Sequence, residues 1–171
     1  MTEQTALRVR PAGKAVVVQD DKLLVIHRKR RDDGTIFFYL PGGGQEHGET
    51  LRETVRREVL EEVGFEVEVG EMLCVTEYIG KNHAMREIHH DVHQIDFLFH
   101  CTIKPGTERQ EPTQSDAGQV GWGWLPFADI LDYEKYPQDD RNFLRGAGFR
   151  DFLASWYKGE AKLPAYLGDV D

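Results

Sequence analysis

Apolar residues near the start of the chain recur with a period of two. Segments 14–18 (KAVVV) and 23–27 (LLVIH) flank Gln19-Asp20-Asp21-Lys22, a pattern that reads as a β-hairpin with a short acidic turn. The basic run Arg28-Lys29-Arg30-Arg31 and Asp32-Asp33-Gly34 follow as a polar loop. Ile36 to Leu40 predicts a short buried strand, stopped by Pro41 and by Gly42, Gly43 and Gly44. Between Glu49 and Val63 the period changes. Leu51, Val55, Val59 and Val63 stand at steps of four with no Gly or Pro between them, which predicts a helix with one apolar stripe. Gly64 is placed to cap its C-terminus.

Downstream, 65–79 alternates and is rich in Val, which suggests one or two strands. Residues 93–103 set Ile95, Phe97, Phe99, Cys101 and Ile103 on one face against Gln94, Asp96 and His100 on the other, the pattern of a strand with one buried face. A polar loop, 104–119, leads to a strand from Val120 to Leu125. A C-terminal helix is expected over about 139–157, interrupted near Gly146 and Gly148, with Phe143, Leu144, Phe152, Leu153 and Trp156 facing inward. Strands thus outnumber helices without regular βα alternation. The expectation is an α/β fold with a mixed sheet between helices, not a doubly wound one.

A chain of 171 residues suits a single domain spanning 1–171. Thirty acids against 21 Lys and Arg leave a formal charge of -9, which argues against unspecific binding to nucleic acid or to an anionic membrane. An anionic substrate would need local basic groups or metal ions. Cys74 and Cys101 lie in apolar, alternating segments and read as buried reduced thiols. No run approaches the ~18 apolar residues of a membrane span, and the start lacks a signal-peptide core. A soluble, cytoplasmic protein is expected.

Chemistry concentrates in 43–65. Glu58, Glu61 and Glu62 stand at i, i+3 and i+4, hence on one side of the helix. Like charges so placed repel, so something positive should sit among them. Oxygen donors without His or Cys favour a hard cation, Mg2+ or Mn2+. The glycines before the helix let backbone approach a ligand closely, and a loop leading into a helix N-terminus suits phosphate.

Gly43, Glu49, Arg57, Glu58, Val59, Glu61, Glu62, Gly64 and Phe65 match the Nudix box, G-x5-E-x7-R-E-U-x-E-E-x-G-U with U apolar, at all nine fixed positions of its 23 residues. Over roughly 10–130 the chain resembles a Nudix hydrolase. The resemblance implies an α/β/α sandwich and Mg2+-dependent hydrolysis (Mn2+ as substitute) of a nucleoside diphosphate linked to another moiety. It implies that Glu58, Glu61 and Glu62 bind metal, that Glu58 and Glu61 also serve acid-base chemistry, and that the Gly42 carbonyl completes the metal shell. Glu49 and Arg57 match a pair that braces loop against helix. Such enzymes also draw an acid from the loop before the last sheet strand; here Asp116 is the first choice, Glu111 the second and Glu108 the third.

Other features are weighed against blander roles. His83, His89, His90 and His93 have no regular zinc spacing, and their segment reads instead as a substrate-contacting loop in which Arg86 or a histidine meets phosphate or base. Arg28, at a strand end, is a second candidate substrate contact in an otherwise acidic protein. Trp122 and Trp124 share one strand face and suit core or dimer packing, so a homodimer is left open. No Pro occurs in 78–82, which weighs against ADP-ribose specificity; an NTP or a dinucleoside polyphosphate remains open. The rival readings are a nucleotide-sensing domain that does not cleave, and an isomerase of isoprenoid diphosphates. The intact carboxylate set argues against the first, and the lack of a cysteine in or beside the box argues against the second.

Overall fold

The computed structural model describes residues 8–29, 34, 36–83, 86–114, 118–130, 132 and 147–170. Strand β1 (Arg10–Gln19) turns into β2 (Lys22–Lys29) through Asp20 and Asp21, both at positive φ (49° and 57°). Two consecutive left-handed residues are what a type I′ turn requires, and Asp accepts that region more readily than most residues. There follow β3 (Ile36–Tyr39), β4 (Gly42–Gly44), helix α1 (Leu51–Val63) and β5 (Val67–Ile79). A 3-10 turn (Gly80–Asn82) and the short α2 (Arg86–His89) lead into β6 (His93–Ile103). The chain continues as β7 (Gln119–Pro126), α3 (Phe127–Ile130), α4 (Ala147–Tyr157) and β8 (Ala165–Asp169).

The strands form one mixed sheet in the order β3-β2-β1-β6-β5-β8, with β4 added to β1 and β7 to β2. Its decisive feature is a fork. Strands β1 and β2 pair only beside their turn, at Val18–Leu23 and Gln19–Lys22. Beyond it β1 runs parallel to β6 and antiparallel to β4, while β2 pairs with β3 and β7. The link from β3 to β4 crosses the fork, and there Ala15 N–H donates to the Pro41 carbonyl at 2.9 Å.

Each face of the sheet is covered by a helix. Ala15, Val17, Leu24, Ile26 and Phe99 pack against Val55, Val59 and Val63 of α1. Val16, Leu23, Val25 and Leu98 pack on the other side against Phe149, Phe152 and Leu153 of α4. Alternation along β1 therefore feeds two cores, and the architecture is the mixed sheet between helices that the pattern predicts. The three valines of α1 are fully buried, each contributing about 1.5 kcal/mol or more of apolar burial.

Several local expectations need correction. Helix α1 starts at Leu51, not Glu49, because Thr50 caps it: Thr50 and Glu53 form a capping box. Strand β3 is half-buried, since it lies at the edge of the sheet. Strand β6 is central and covered on both faces, with Leu98 and Phe99 buried on opposite sides. Segment 65–79 is a single bulged strand. Strand β8 was not foreseen; it adds in parallel to β5. The expected helix over 139–157 is seen as α4, and its part up to residue 146, with Phe143 and Leu144, lies outside the described residues. Cys74 and Cys101 are buried free thiols, each pushed up to about 12 by burial. Among the described residues no helix is long and apolar enough to cross a membrane.

Gly64 ends α1 at φ 78°, and its carbonyl accepts from Gln110 N–H at 2.8 Å, which docks the long loop on the helix. A Cβ at Gly64 would lie 1.9 Å from the Gln110 carbonyl oxygen, whereas one at Gly106 (φ 77°) would meet nothing within 4 Å. Gly106→Ala should therefore cost about 1 kcal/mol of backbone strain, and Gly64→Ala at least about twice that. Chemical denaturation of both variants tests this; equal losses would remove loop docking from the account.

Candidate functional site

The capped N-terminus of α1 fixes the helix phase, so that Val55 and Val59 face the sheet while Glu58, Glu61 and Glu62 face β4. Among them stands Arg57. Its Nε donates to Glu49 Oε1 at 2.6 Å and its Nη2 donates to Glu49 Oε2 at 3.0 Å and to the Gly44 carbonyl at 3.1 Å. Its Nη1 donates to Glu58 Oε1 at 2.8 Å and to Glu61 Oε2 at 3.2 Å. The positive group that the acidic face calls for is thus supplied by the chain itself. The bidentate bond from Arg57, opposed by burial and aided by Glu46 N–H and Thr54 Oγ1, holds Glu49 down at about 2. The same contacts raise Arg57 above its already high value.

Glu62 is only 2% exposed and accepts from Gly42 N–H at 2.8 Å. The Gly42 carbonyl points the other way and accepts from Lys14 Nζ. Gly43 leaves room for its neighbour, since a Cβ there would lie 2.5 Å from Glu58 Oε1 and push that carboxylate aside. Gln114 and Thr113 N–H groups donate to the Glu61 carbonyl, and Gln119 Nε2 donates to that of Glu62, so the end of α1 is held by the 104–119 loop. These groups enclose an acidic cavity of about 300 Å3, lined by Arg10, Gly44, Glu46, Glu58, Glu61 and Glu62 among others.

The donor set, carboxylates alone, fits a hard divalent cation. Among the described residues, however, no three His, Cys, Asp or Glu groups are already arranged around one point. Glu58 and Glu61 are turned to Arg57, and Glu62 to the backbone.

A second cavity, of about 350 Å3, opens in the fork between β1 and β2. Arg10 lines both cavities, and the β4 glycines form the wall between them: Gly42 and Gly43 on the fork side, Gly44 on the acidic side. A Cβ at Gly44 would come within 2.4 Å of the Arg10 guanidinium, so glycine there lets Arg10 lie flat across the wall. Lys14, Arg28, Tyr39, Thr76, Gln94 and Asp96 also line the fork. Arg28 lies over the Tyr39 ring at 5.0 Å.

The structure therefore gathers Arg57, Glu58, Glu61 and Glu62 around one cavity, with Glu49 bonded to Arg57 behind it, and places Gly42 and Arg28 in the next, Gly42 being joined to the first through Glu62. Arg86 is exposed on α2 and lines neither cavity. Asp116 lies outside the described residues. Glu111 is exposed and pairs with Arg109, and Glu108 is exposed too. The four histidines go to separate partners: His83 to Asp169 at 2.6 Å, His89 to the Tyr78 hydroxyl at 2.8 Å, His90 to Asp91 and His93 to Glu77. Trp122 and Trp124 pack against Phe65. Arg10, Lys14 and Asp96 escaped the sequence reading. For Lys14 the signal was a charge among Ala12, Val16 and Val18 on one strand face; Asp96, between Gln94 and Leu98 on a polar face, carried none.

The family profile described as NUDIX domain matches residues 9–146. Among solved structures, a NUDIX hydrolase from Nitrosomonas europaea superposes with a TM-score of 0.65 at 20% identity, over 90% of this chain and 91% of that one. A UDP-X diphosphatase gives 0.61 at 20% identity, over 95% and 69%. An ADP-ribose pyrophosphatase from Streptococcus suis gives 0.57 at 20% identity, over 93% and 99%. At this identity the three bear on the fold.

Glu49 links this site to acid stability. Its folded value, about 2, lies below the ordinary 4.5, so its contribution is complete above pH 4.5 and is lost as pH falls towards 2. Denaturation of wild type and Glu49→Gln should show a stability gap at pH 6 that closes between pH 4.5 and 2. A gap independent of pH would deny the ionic bond to Arg57.

Proposed function

The chain belongs to the Nudix family, and from that premise we propose that it hydrolyses the phosphoanhydride of a nucleoside diphosphate linked to another moiety, with Mg2+ as cofactor and Mn2+ as substitute. The observation that carries this reading is the pair of adjoining cavities, one acidic and one with Arg10 and Lys14 on its wall, separated only by glycine backbone. A linked diphosphate has the matching parts: an anhydride for the acidic side and an organic group for the fork.

Glu58, Glu61 and Glu62 would hold the cation. When bound it supplies neutralisation of the anhydride charge and a lower pKa for the attacking water. The chain's own residues do the rest. Arg10 and Lys14 offset part of the net charge of -9 where the anionic substrate enters. Arg57 keeps the glycine wall at a fixed distance from α1 through its bonds to Gly44 and Glu49. Glu58, Glu61 or Asp116 takes the proton from the attacking water. The Gly42 carbonyl would join the cation's shell on leaving Lys14. Arg28, beside Tyr39, is a contact for the substrate's organic half; Arg86 would contact substrate only from the rim.

The test is phosphate release from nucleotide sugars, ADP-ribose, dinucleoside polyphosphates and NTPs, with and without Mg2+. Metal-dependent turnover of one class is expected; binding of a nucleotide without turnover of any would establish the sensor reading instead. Glu62→Gln keeps an acceptor for Gly42 N–H and should leave the melting temperature in place. It should cut kcat about a thousandfold, ~4 kcal/mol of transition-state stabilisation. Near wild-type kcat in that variant would take α1 out of the mechanism.

A further inference from the structure

Strand register builds a block of side chains on the α4 face of the sheet. Strand β1 sets Arg10, Ala12 and Lys14 beside Gln94, Asp96 and Leu98 of β6, and β5 sets Tyr78, Thr76 and Cys74 along the other side. Residues opposed across a ladder share a face at neighbour distance. Asp96 is therefore the centre of the block, flanked by the small Ala12 and Thr76, and the fork cavity opens above it. Gln94 Nε2 donates to Asp96 Oδ1 at 2.8 Å and orients the carboxylate. Among the described residues Oδ2 has no hydrogen-bond partner, and neither Arg10 nor Lys14 is ion-paired to an acid although Asp96 lines the same cavity.

Arg10 and Lys14 stand about 13 Å apart along β1, with Asp96 of β6 across from the midpoint between them, and this alternation of charge suits a ligand that is itself divided. A terminal phosphate would gain from the cations but be repelled by Asp96. A neutral hydrogen-bond donor joined to a phosphate gains from both. About 350 Å3 stands at the small end of ligand cavities and suits one half of a linked diphosphate.

We propose that Asp96 is a specificity-determining residue, accepting hydrogen bonds from a neutral donor group on the substrate half seated in the fork, while Arg10 holds the adjoining phosphate where the cavities meet. This selects sugar- or nucleoside-linked diphosphates over polyphosphates. It rests on the hydrolase reading for its reaction, but not for its binding. Sugar hydroxyls and the exocyclic amine of a base are two sources of the same donor chemistry.

The experiment is calorimetric titration in EDTA of wild type and Asp96→Asn with ribose 5-phosphate, AMP, IMP and tripolyphosphate. Wild type should bind at least one organic phosphate more tightly than tripolyphosphate. Asp96→Asn should weaken that ligand at least tenfold and bind tripolyphosphate as well or better. Weakening of ribose 5-phosphate identifies hydroxyls as the donor; weakening of AMP but not IMP identifies the amine. Tripolyphosphate binding wild type as tightly as every organic phosphate would overturn the proposal, and that ranking does not depend on the variant folding. Unchanged affinities in a folded Asp96→Asn would overturn it too. Absence of turnover alongside the expected ranking would refute the hydrolase reading alone.

Discussion

Everything at the acidic site depends on one guanidinium. Arg57 reaches Glu49 before the helix, the Gly44 carbonyl in the wall, and Glu58 and Glu61 on its own helix. Without it three carboxylates on one helical side would repel, and the glycine wall would have only the Gly42–Glu62 bond to fix it to α1. Arginine suits the task because its planar fork offers several donors in fixed directions, while a lysine would offer one point charge. The structure thus carries its own counter-charge, and a divalent cation entering the cavity would have to compete with Arg57 for Glu58 and Glu61.

The fork gives this arrangement a neighbour. Had β1 and β2 stayed paired along their length, backbone hydrogen bonds would close the fork in which the second cavity opens. Instead pairing stops after two residue pairs, and β4 takes up β1's free edge. One backbone segment therefore serves two cavities. A side chain at Gly43 would displace the Glu58 carboxylate and one at Gly44 the Arg10 guanidinium, so glycine keeps the wall thin with both groups in place.

Much of this was legible in the sequence, for identifiable reasons. The period of four in 49–63 and the period of two in 14–27 reflect burial, which acts on every residue of an element, so helix and hairpin could be read directly. Arg57, Glu58, Glu61 and Glu62 stand at short, fixed spacings on one helix, so their convergence follows from helical geometry. Strand β8 was not legible: five residues at the sheet edge, held by register to β5 and by Asp169, show no periodicity. Nor was the second cavity, which depends on where β1 leaves β2. Alternation in 93–103 predicts one buried face and sets Asp96 on the other, because alternation alone does not say that α4 covers that side.

The α1 carboxylates are proposed as a divalent-cation site in which Arg57 holds Glu58 and Glu61 until a cation enters. Mn2+ titration followed by electron paramagnetic resonance tests it without substrate or turnover. Saturable Mn2+ binding by the wild-type protein is expected, with at least a tenfold loss of affinity when Glu58 and Glu61 are both changed to Gln and the fold intact by circular dichroism. Equal Mn2+ binding by the two proteins would contradict it.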